Sequence, residues 1–210
     1  MMEVFHDIQQ NSPEWFRIRA GIPTASKFAT VMASGRGGGD SKTRAKYMRQ
    51  LAGEIITGQP MESISNAHTE RGHVMEPEAR DLYAFMTDAS PELVGFIRNG
   101  QKGCSPDSLI GSNGILEIKT KLPDLLIECI ERDEFPPEHK AQCQGALWVA
   151  EREWIDIVVY WPGMPVFIKR AYRDEEYIAE LSAAVDRFNE ELAALVERIR
   201  SYGIEQKEAA

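Results

Sequence analysis

The sequence predicts an α/β fold with a central mixed β-sheet flanked by helices, and two observations support this. The predicted elements follow one another as helices, three strands, a helix, two strands and a helix, which is an α/β order. The 210 residues, 43% of them hydrophobic, can bury one core but are too few for two full domains. We therefore predict one domain over residues 1–210, with a helical part over about 1–65, a core over about 66–172 and a C-terminal helix over about 174–202.

The chain is predicted to begin with two short helices. Ser12 is typical of a helix cap, and Pro13 is typical of the first helical position. The helical pattern breaks at residues 21–23 and restarts with Thr24 or Ser26 as a second cap. Because a helix N-terminus presents unpaired amide groups, this restart is suited to binding a phosphate.

A glycine-rich stretch and a third helix come next. The stretch ASGRGGGDSK lacks the Gly-Lys-Ser/Thr ending and the preceding buried strand of a nucleotide-binding loop, which excludes nucleotide hydrolysis. We interpret it as a loop that carries Arg36. Residues 41–58 are then predicted to form a helix that ends near Gly58 and Pro60.

The core begins with a helix over about 66–87, in which Glu76 lies beside an apolar face and Pro77 marks a start or a bend. Apolar runs and turn residues predict the remaining elements, which are strands at about 93–98, 103–110 and 115–119, a helix at 139–151, strands at 154–161 and 165–172, and a helix from 174.

The segment SPDSLIGSNGILEIKTK, residues 105 to 121, carries the strongest chemical signal. Glu117 and Lys119 are two apart in a predicted strand and therefore face the same side. The turn Asn113-Gly114 tolerates positive φ angles and is expected to fold Asp107 back toward Glu117. Two carboxylates and an amine so arranged can hold a hard divalent cation beside a water. This pattern alone leaves open a second interpretation, a strand with a solvated, charged face.

The net charge of −9 is distributed unevenly along the chain. The segment from Arg17 to Arg49 contains eight basic residues and one acid, Asp40, and is therefore net +7. Phosphate binding needs a local positive surface rather than a basic protein, so the acidic total does not exclude a nucleic-acid enzyme. The alternative is that these cations merely cover two surface helices.

Several classes of protein are excluded by composition. No apolar run approaches the length of a membrane span and the N-terminus lacks a signal pattern, so a cytoplasmic location is expected. The odd number of cysteines and their spacing argue against a disulfide framework, a zinc site or an iron–sulfur cluster. These cysteines are Cys104, Cys129 and Cys143.

The order of elements, with Asp on one strand and Glu-x-Lys on the next, resembles the restriction-endonuclease-like PD-(D/E)xK fold. The resemblance extends to the phage-type alkaline exonucleases of the lambda exonuclease and YqaJ viral recombinase family. Five stretches carry it in family order between Trp15 and Val149, about two thirds of the chain: WFRIRAGIPTAS, the loop with Arg36, RGHVMEPEARDLYAF, CSPDSL with GILEIK, and AQCQGALWV.

The resemblance implies a metal site. It makes Asp107, Glu117 and the backbone carbonyl of Ile118 the ligands of Mg²⁺, for which Mn²⁺ would substitute. Lys119 would orient or activate the attacking water. Glu76 matches an additional acidic residue that supports the metal centre, for example by binding a second ion. Taken without the resemblance, Glu76 is a solvated helix carboxylate.

The resemblance also implies a pocket for the end of a DNA strand. Arg19, Ser26, Ser105 and Gln142 match residues that hold the 5′-phosphate, which suits the ability of guanidinium and hydroxyl groups to bind phosphate. Arg36 matches a loop arginine that contacts the duplex. Without the resemblance, Ser26 is a helix cap and Gln142 a polar helix residue.

The family resemblance implies an exonuclease that degrades one strand of double-stranded DNA from its 5′ end, releases 5′-mononucleotides and leaves a 3′ overhang. It further implies a homotrimer around DNA, a single-strand annealing protein as partner, and a phage or prophage gene expressed in a bacterial cytoplasm. Two alternatives stay open: an endonuclease or resolvase of the same fold, and an inactive subunit that binds DNA ends.

Overall fold

The computed structural model describes residues 1–35, 41–61 and 67–202, with side chains omitted for 67–73. The strands are β1 (Met2–Phe5), β2 (Pro91–Glu92), β3 (Phe96–Asn99), β4 (Gly103–Cys104), β5 (Ser108–Ile110), β6 (Gly114–Thr120), β7 (Trp154–Tyr160) and β8 (Phe167–Tyr172). The helices are α1 (Pro13–Arg19), α2 (Phe28–Met32), α3 (Lys42–Thr57), α4 (Ala67–Thr87), α5 (Pro123–Arg132), α6 (Lys140–Val149) and α7 (Glu175–Arg200).

A mixed sheet lies at the centre of the fold, as predicted. Its five strands have the order β2-β5-β6-β7-β8, and only the β6–β7 pair is parallel among these neighbours. A second, three-stranded sheet has the order β1-β3-β4 and was not predicted. The predicted strand over 103–110 is therefore wrong, because its two ends belong to different sheets. The break between β4 and β5 exposes part of Ser105 and Asp107, whereas a continuous strand would pair them with neighbours.

The two faces of β6 are both buried, and each packs against different helices. Leu116 and Ile118 face a cluster that includes residues of α4, whereas Ile115 faces the larger cluster formed with α3, α6 and α7. Because side chains alternate along a strand, Glu117 points to the same side as Ile115. Glu117 is only 3% exposed. The interpretation of β6 as a solvated strand is therefore wrong.

A buried polar network fixes α4 on the sheet. The hydroxyl of Tyr83 donates to Asp156 Oδ2 at 2.7 Å, and the Arg170 guanidinium binds both carboxylate oxygens of Asp156 at 2.8 Å. Burial and the bond to Asp156 raise the pKa of Tyr83. Because a buried carboxylate needs such partners, this network ties α4 to β7 and β8 and so sets where α4 places its other side chains.

The β5–β6 hairpin turns at Gly111–Asn113, one step earlier than the sequence indicated. Gly111 adopts the positive φ of 53°, whereas Gly114 is already the first residue of β6. The Trp154 ring lies against Gly114, where an added Cβ would be 2.2 Å from Cζ2 of that ring. Gly114 is thus required for close packing rather than for the turn.

Most helix ends follow their local signals. Ser12 accepts from the Trp15 amide to cap α1, Ser41 caps α3, and Gly58 ends α3 in the left-handed conformation. The predicted restart after residue 23 is only a 3₁₀ turn, Ala25–Lys27, followed by the five-residue α2. Ser26 lies inside that turn, so the interpretation of Ser26 as a cap is wrong. Helix α5 was not predicted.

Within the parts of the chain that the structure describes, no helix combines the length and the apolar character that a membrane crossing requires.

Replacing Gly145 of α6 by Ala is expected to destabilise the protein, although alanine favours helices. An added Cβ would lie 2.3 Å from Cδ2 of Phe28, whose ring is fully buried and cannot move aside. Overpacking of this kind costs about 1–3 kcal/mol, which lowers the melting temperature by about 2–4 °C per kcal/mol. Thermal denaturation measures this, and a rise in the melting temperature, as helix propensity alone would give, would contradict it.

Candidate active site

The β5–β6 hairpin places Asp107 opposite Glu117. The register pairs Ser108 with Leu116, so the next position outward aligns the two carboxylates across the hairpin. The backbone amide of Ile118 donates to Asp107 Oδ2 at 2.5 Å, which leaves Oδ1 for another partner. Asp107 is half-buried and Glu117 is buried. The expected approach of Asp107 to Glu117 is therefore confirmed.

Lys119 and Gln142 converge on a single oxygen of Glu117. Lys119 Nζ lies 2.7 Å from Glu117 Oε1, and Gln142 Nε2 donates to the same oxygen at 2.5 Å. Lys119 Nζ also donates to Gln142 Oε1 at 3.2 Å. Gln142, which the family resemblance assigned to phosphate binding, is thus in direct contact with the predicted metal ligand and the predicted catalytic amine.

The crowding of charges changes the acidity of the site. Burial, followed by the nearby Glu117 and Glu76 carboxylates, raises the pKa of Asp107 well above its ordinary value. Burial alone would lower the pKa of Lys119, but Glu117 and Asp107 more than offset it and the net shift is upward. The site thus resists carrying three negative charges unless a cation is present.

Glu76 approaches the hairpin from α4, and Arg80, one turn further along, binds it. Arg80 Nη2 forms a short ion pair with Glu76 Oε1. The same guanidinium donates through Nε to Ser108 Oγ at 3.0 Å and through Nη2 to the Asp107 carbonyl at 3.5 Å. Sequence reasoning missed Arg80, although its spacing of four residues from Glu76 in a helix is a recognisable signal for an ion pair.

The donor set of Asp107 and Glu117 suits a hard divalent cation. In the described part of the chain, no three His, Cys, Asp or Glu side chains converge as a metal cage. Mg²⁺ does not need such a cage, because it commonly uses one or two carboxylates together with waters and substrate phosphates. The raised pKa of Asp107 is a second sign of fit, because a cation there would relieve the repulsion.

A second cluster lies beside the hairpin and contains Arg19. Arg19 Nη1 donates to Ser105 Oγ at 2.9 Å, and its guanidinium stacks over Trp15 at 3.8 Å from the ring centroid. The Trp15 indole donates to Ser105 Oγ at 3.1 Å and to the Gly95 carbonyl at 2.9 Å. Stacking and hydrogen bonding hold the guanidinium in one orientation beside Ser105, which lies two residues before Asp107 in the chain.

The structure brings together only part of the predicted phosphate pocket. Arg19 and Ser105 are in direct contact, whereas Ser26 is exposed and its hydroxyl lies 3.4 Å from Thr24 Oγ1. Arg36 lies outside the described residues. Elsewhere in the basic segment, Arg44 pairs with Glu191 of α7 in a bidentate arrangement at 2.6 and 3.1 Å. At least one cation of the basic segment therefore joins α3 to α7.

A cavity of about 550 Å³ adjoins the carboxylates. Glu76, Arg80 and Asp107 form one wall, and the segments 6–11 and 93–95 form much of the remainder. The side chain of Gln10 donates to the carbonyls of Val94 and Pro106, both at 2.9 Å, and so joins the N-terminal segment to the loop before Asp107. Neither the cavity nor the part played by residues 6–11 was predicted from the sequence.

Comparison with known proteins supports the same interpretation. The model of the YqaJ-like viral recombinase domain matches residues 14–153. The crystal structure of an alkaline exonuclease, LHK-Exo from Laribacter hongkongensis, is 32% identical, with 93% of this chain and 100% of that chain covered and a TM-score of 0.83. The complex of LHK-Exo with dAMP is 34% identical, with the same coverage and TM-score.

A phage related exonuclease from Haemophilus somnus 129PT shares the fold at 15% identity, with 85% of this chain and 96% of that chain covered and a TM-score of 0.64. No curated protein sequence matches the chain significantly. Together with the mixed sheet and its flanking helices, the match to LHK-Exo confirms the predicted restriction-endonuclease-like fold.

Proposed function

The chain belongs to the YqaJ-like viral recombinase domain family, and from that premise we propose that it is a metal-dependent exonuclease of linear double-stranded DNA. It degrades one strand in the 5′-to-3′ direction, releases 5′-mononucleotides and leaves a 3′ single-stranded overhang. The similarity to LHK-Exo, described as an alkaline exonuclease, supports the exonuclease activity. Mg²⁺ is the proposed cofactor, and Mn²⁺ is expected to replace it.

One observation carries this proposal: the paired carboxylates and the stacked arginine occupy adjoining parts of one site. Asp107 and Ser105 belong to the same short loop, and Ser105 binds Arg19. A phosphodiester held at Asp107 would therefore place a neighbouring phosphate of the strand in reach of the Arg19 cluster. An enzyme that binds a terminal phosphate beside its reactive centre starts at ends, which favours an exonuclease over an endonuclease or resolvase.

The residues of the site divide the work between binding and orientation. Asp107, Glu117 and the carbonyl of Ile118 would hold the cation, and Glu76, whose charge already acts on Asp107, would support it as an additional acid. When bound, Mg²⁺ supplies charge stabilisation for the phosphate and lowers the pKa of the attacking water. Lys119 is fixed by Glu117 and Gln142, so its amine can orient that water for in-line attack. Its raised pKa keeps it protonated in the metal-free protein, which suits a hydrogen-bond donor.

End-labelled linear duplexes test the direction of cleavage. With Mg²⁺, the wild-type protein is expected to release a 5′ label first, to degrade 5′-phosphorylated ends faster than 5′-hydroxyl ends, and to be inactive without the metal. Release of a 3′ label first would refute the polarity. Equal cleavage of covalently closed duplexes would indicate an endonuclease instead, and no cleavage at all would indicate an inactive end-binding subunit.

Replacing Ser105 by Ala is expected to reduce the preference for 5′-phosphorylated ends. The change removes the oxygen that accepts from both Arg19 and Trp15, so the guanidinium loses one of the contacts that orient it. The ratio of the kcat/KM values for phosphate and hydroxyl ends should fall by about 10- to 30-fold, since one hydrogen bond to a charged group contributes about 1.5–2 kcal/mol.

The control for Ser105 is Ser182→Ala, which removes from α7 a hydroxyl group that donates to the Ala179 carbonyl in its own helix. This variant should keep the wild-type ratio. An unchanged ratio in the Ser105 variant would show that the Arg19 cluster does not recognise the terminal phosphate.

The cellular setting follows from family membership alone. We propose that the protein acts as a homotrimer, that a single-strand annealing protein takes up the exposed 3′ strand, and that both work in the cytoplasm of a bacterial host carrying the phage or prophage.

A further inference from the structure

We propose that Arg80 is a positioning residue of the metal site, which fixes Glu76 and the loop of Asp107 relative to each other. This inference rests on the proposed function, because it assigns Arg80 to the cation site of that nuclease. Arg80 itself is not proposed to touch the metal or the DNA.

The contacts of Arg80 reach both sides of the site. Its Nη2 binds the carboxylate of Glu76 on α4, while its Nε donates to Ser108 Oγ at 3.0 Å on the hairpin. The Ser108 hydroxyl in turn donates to the Asp107 carbonyl at 2.6 Å, and Arg80 Nη2 lies 3.5 Å from that same carbonyl. Arg80, Ser108 and the Asp107 carbonyl thus form a closed ring of hydrogen bonds directly behind the Asp107 carboxylate.

The burial of these groups makes the arrangement rigid. The side chain of Arg80 is 14% exposed and that of Glu76 is 26% exposed, whereas Ser108 is fully buried. A planar guanidinium can serve several acceptors in fixed directions at once, but a lysine ammonium on a flexible stem cannot reproduce that geometry. Arg80 therefore binds one oxygen of the Glu76 carboxylate, Oε1. By fixing the orientation of that carboxylate, it determines the direction in which the second oxygen can bind a cation.

Charge and geometry predict opposite effects of removing Arg80. If Arg80 were only a cation near the carboxylates, its removal would make the site more negative and would tighten the binding of a divalent metal. If Arg80 positions the ligands, its removal weakens metal binding, because Glu76 can rotate and the Asp107 loop loses its support. Loss of residues that orient ligands commonly lowers metal affinity by about 10- to 100-fold.

Calorimetric titration of Mn²⁺ into the metal-free, full-length protein, without DNA, separates the two effects. Arg80→Gln is expected to weaken Mn²⁺ binding by about 10-fold or more. Arg80→Lys, which keeps the charge, should weaken it nearly as much. Arg132→Gln is the matched control, because Arg132 forms the same four-residue ion pair with Glu128 at 2.6 Å on the exposed helix α5. That control should bind Mn²⁺ as the wild type does.

Further measurements keep the outcome decisive. Thermal melting in EDTA identifies a variant that fails to fold, in which case Arg80→Lys carries the test. In a Glu76→Gln background, Arg80→Gln should weaken Mn²⁺ binding by a smaller factor, because part of its effect passes through Glu76. Mn²⁺ binding by Arg80→Gln that is equal to or tighter than wild type overturns the inference, even if the wild-type protein cleaves DNA. Wild-type protein that binds Mn²⁺ but cleaves no DNA refutes the proposed function alone.

Discussion

Replacing Asp107 by Asn is expected to abolish DNA cleavage while making the metal-free protein more stable. The substitution keeps the shape of the side chain and an oxygen that can accept from the Ile118 amide. It removes the negative charge that would bind the cation. Loss of a metal ligand removes several kcal/mol of transition-state stabilisation, so activity should fall by about 1000-fold or more.

The gain in stability follows from the raised pKa of Asp107. Burial, Glu117 and Glu76 raise the pKa of the folded carboxyl above its value of 3.8 in the unfolded chain. A group whose pKa is higher in the folded than in the unfolded protein contributes its full stabilisation at pH values below the unfolded pKa. That stabilisation is lost as the pH rises from the unfolded pKa through the folded pKa. Above the unfolded value the wild type therefore loses stability that the Asn variant, which has no such proton to lose, retains.

Thermal melting at two pH values measures this effect. In EDTA at pH 8, the Asn variant should melt about 2–4 °C above the wild type for each kcal/mol relieved, and the difference should shrink near pH 4. Mg²⁺ should raise the melting temperature of the wild type but not that of the variant, because only the wild type binds it. The control is Asp186→Asn, which changes an exposed carboxylate on α7.

Either of two results would refute this role for Asp107. The first is cleavage by the Asn variant at the wild-type rate with Mg²⁺. The second is a metal-free Asn variant that melts below the wild type at pH 8, which would show that Asp107 is stabilising in the absence of a cation.

Replacing Lys119 by Met is expected to reduce the rate of cleavage by about 100- to 10,000-fold without loss of metal binding. The amine is the group placed to orient the attacking water, and a positioned side chain of this kind contributes about that factor. Lys119 Nζ is 2.7 Å from Glu117, so its removal also takes a competing cation away from the metal ligand. Mn²⁺ binding should therefore be equal to or tighter than that of the wild type.

Single-turnover kinetics and calorimetry distinguish this role from a structural one. The rate of cleavage at saturating Mg²⁺ should fall, while the dissociation constant for Mn²⁺ should not rise. Lys169→Met serves as control. Lys169 forms a comparable ion pair, in which its Nζ lies 2.9 Å from Asp133 Oδ1, and this pair is not part of the site. If the Lys119 variant cleaves DNA at full rate, or if it loses Mn²⁺ binding and activity together, Lys119 does not act on the water.

The accuracy of the predictions depended on the distance along the chain over which each signal acts. Ser12, Pro13 and Gly58 mark helix ends correctly because a cap is satisfied by amides or carbonyls within four residues. The pairing of Asp107 with Glu117 was also predictable, since a hairpin joins them. The position of its turn was not, because the role of Gly114 depends on Trp154, a residue 40 positions away that packs on it.

The missed elements lacked a local pattern. Strand β1 is four residues long and mostly exposed, so it has no alternation of buried and exposed residues, and only its pairing with β3 makes it a strand. The prediction of one strand over 103–110 was also wrong because strand pairing, and not a local pattern, defines the strands there. The segment is continuous in sequence, but β4 and β5 pair with different partners.

Residue types and neighbours within a few positions were enough to predict the α/β class, the ends of α1 and α3 at Ser12 and Gly58, and the carboxylates and amine of the hairpin. The side chains that surround that hairpin depend instead on how distant segments pack. Arg80 reaches Ser108, and Arg19 reaches Ser105, because α4 and α1 pack against the hairpin and the loop before it. Such contacts follow from the burial of apolar faces between distant segments, which fixes geometry that no local pattern records.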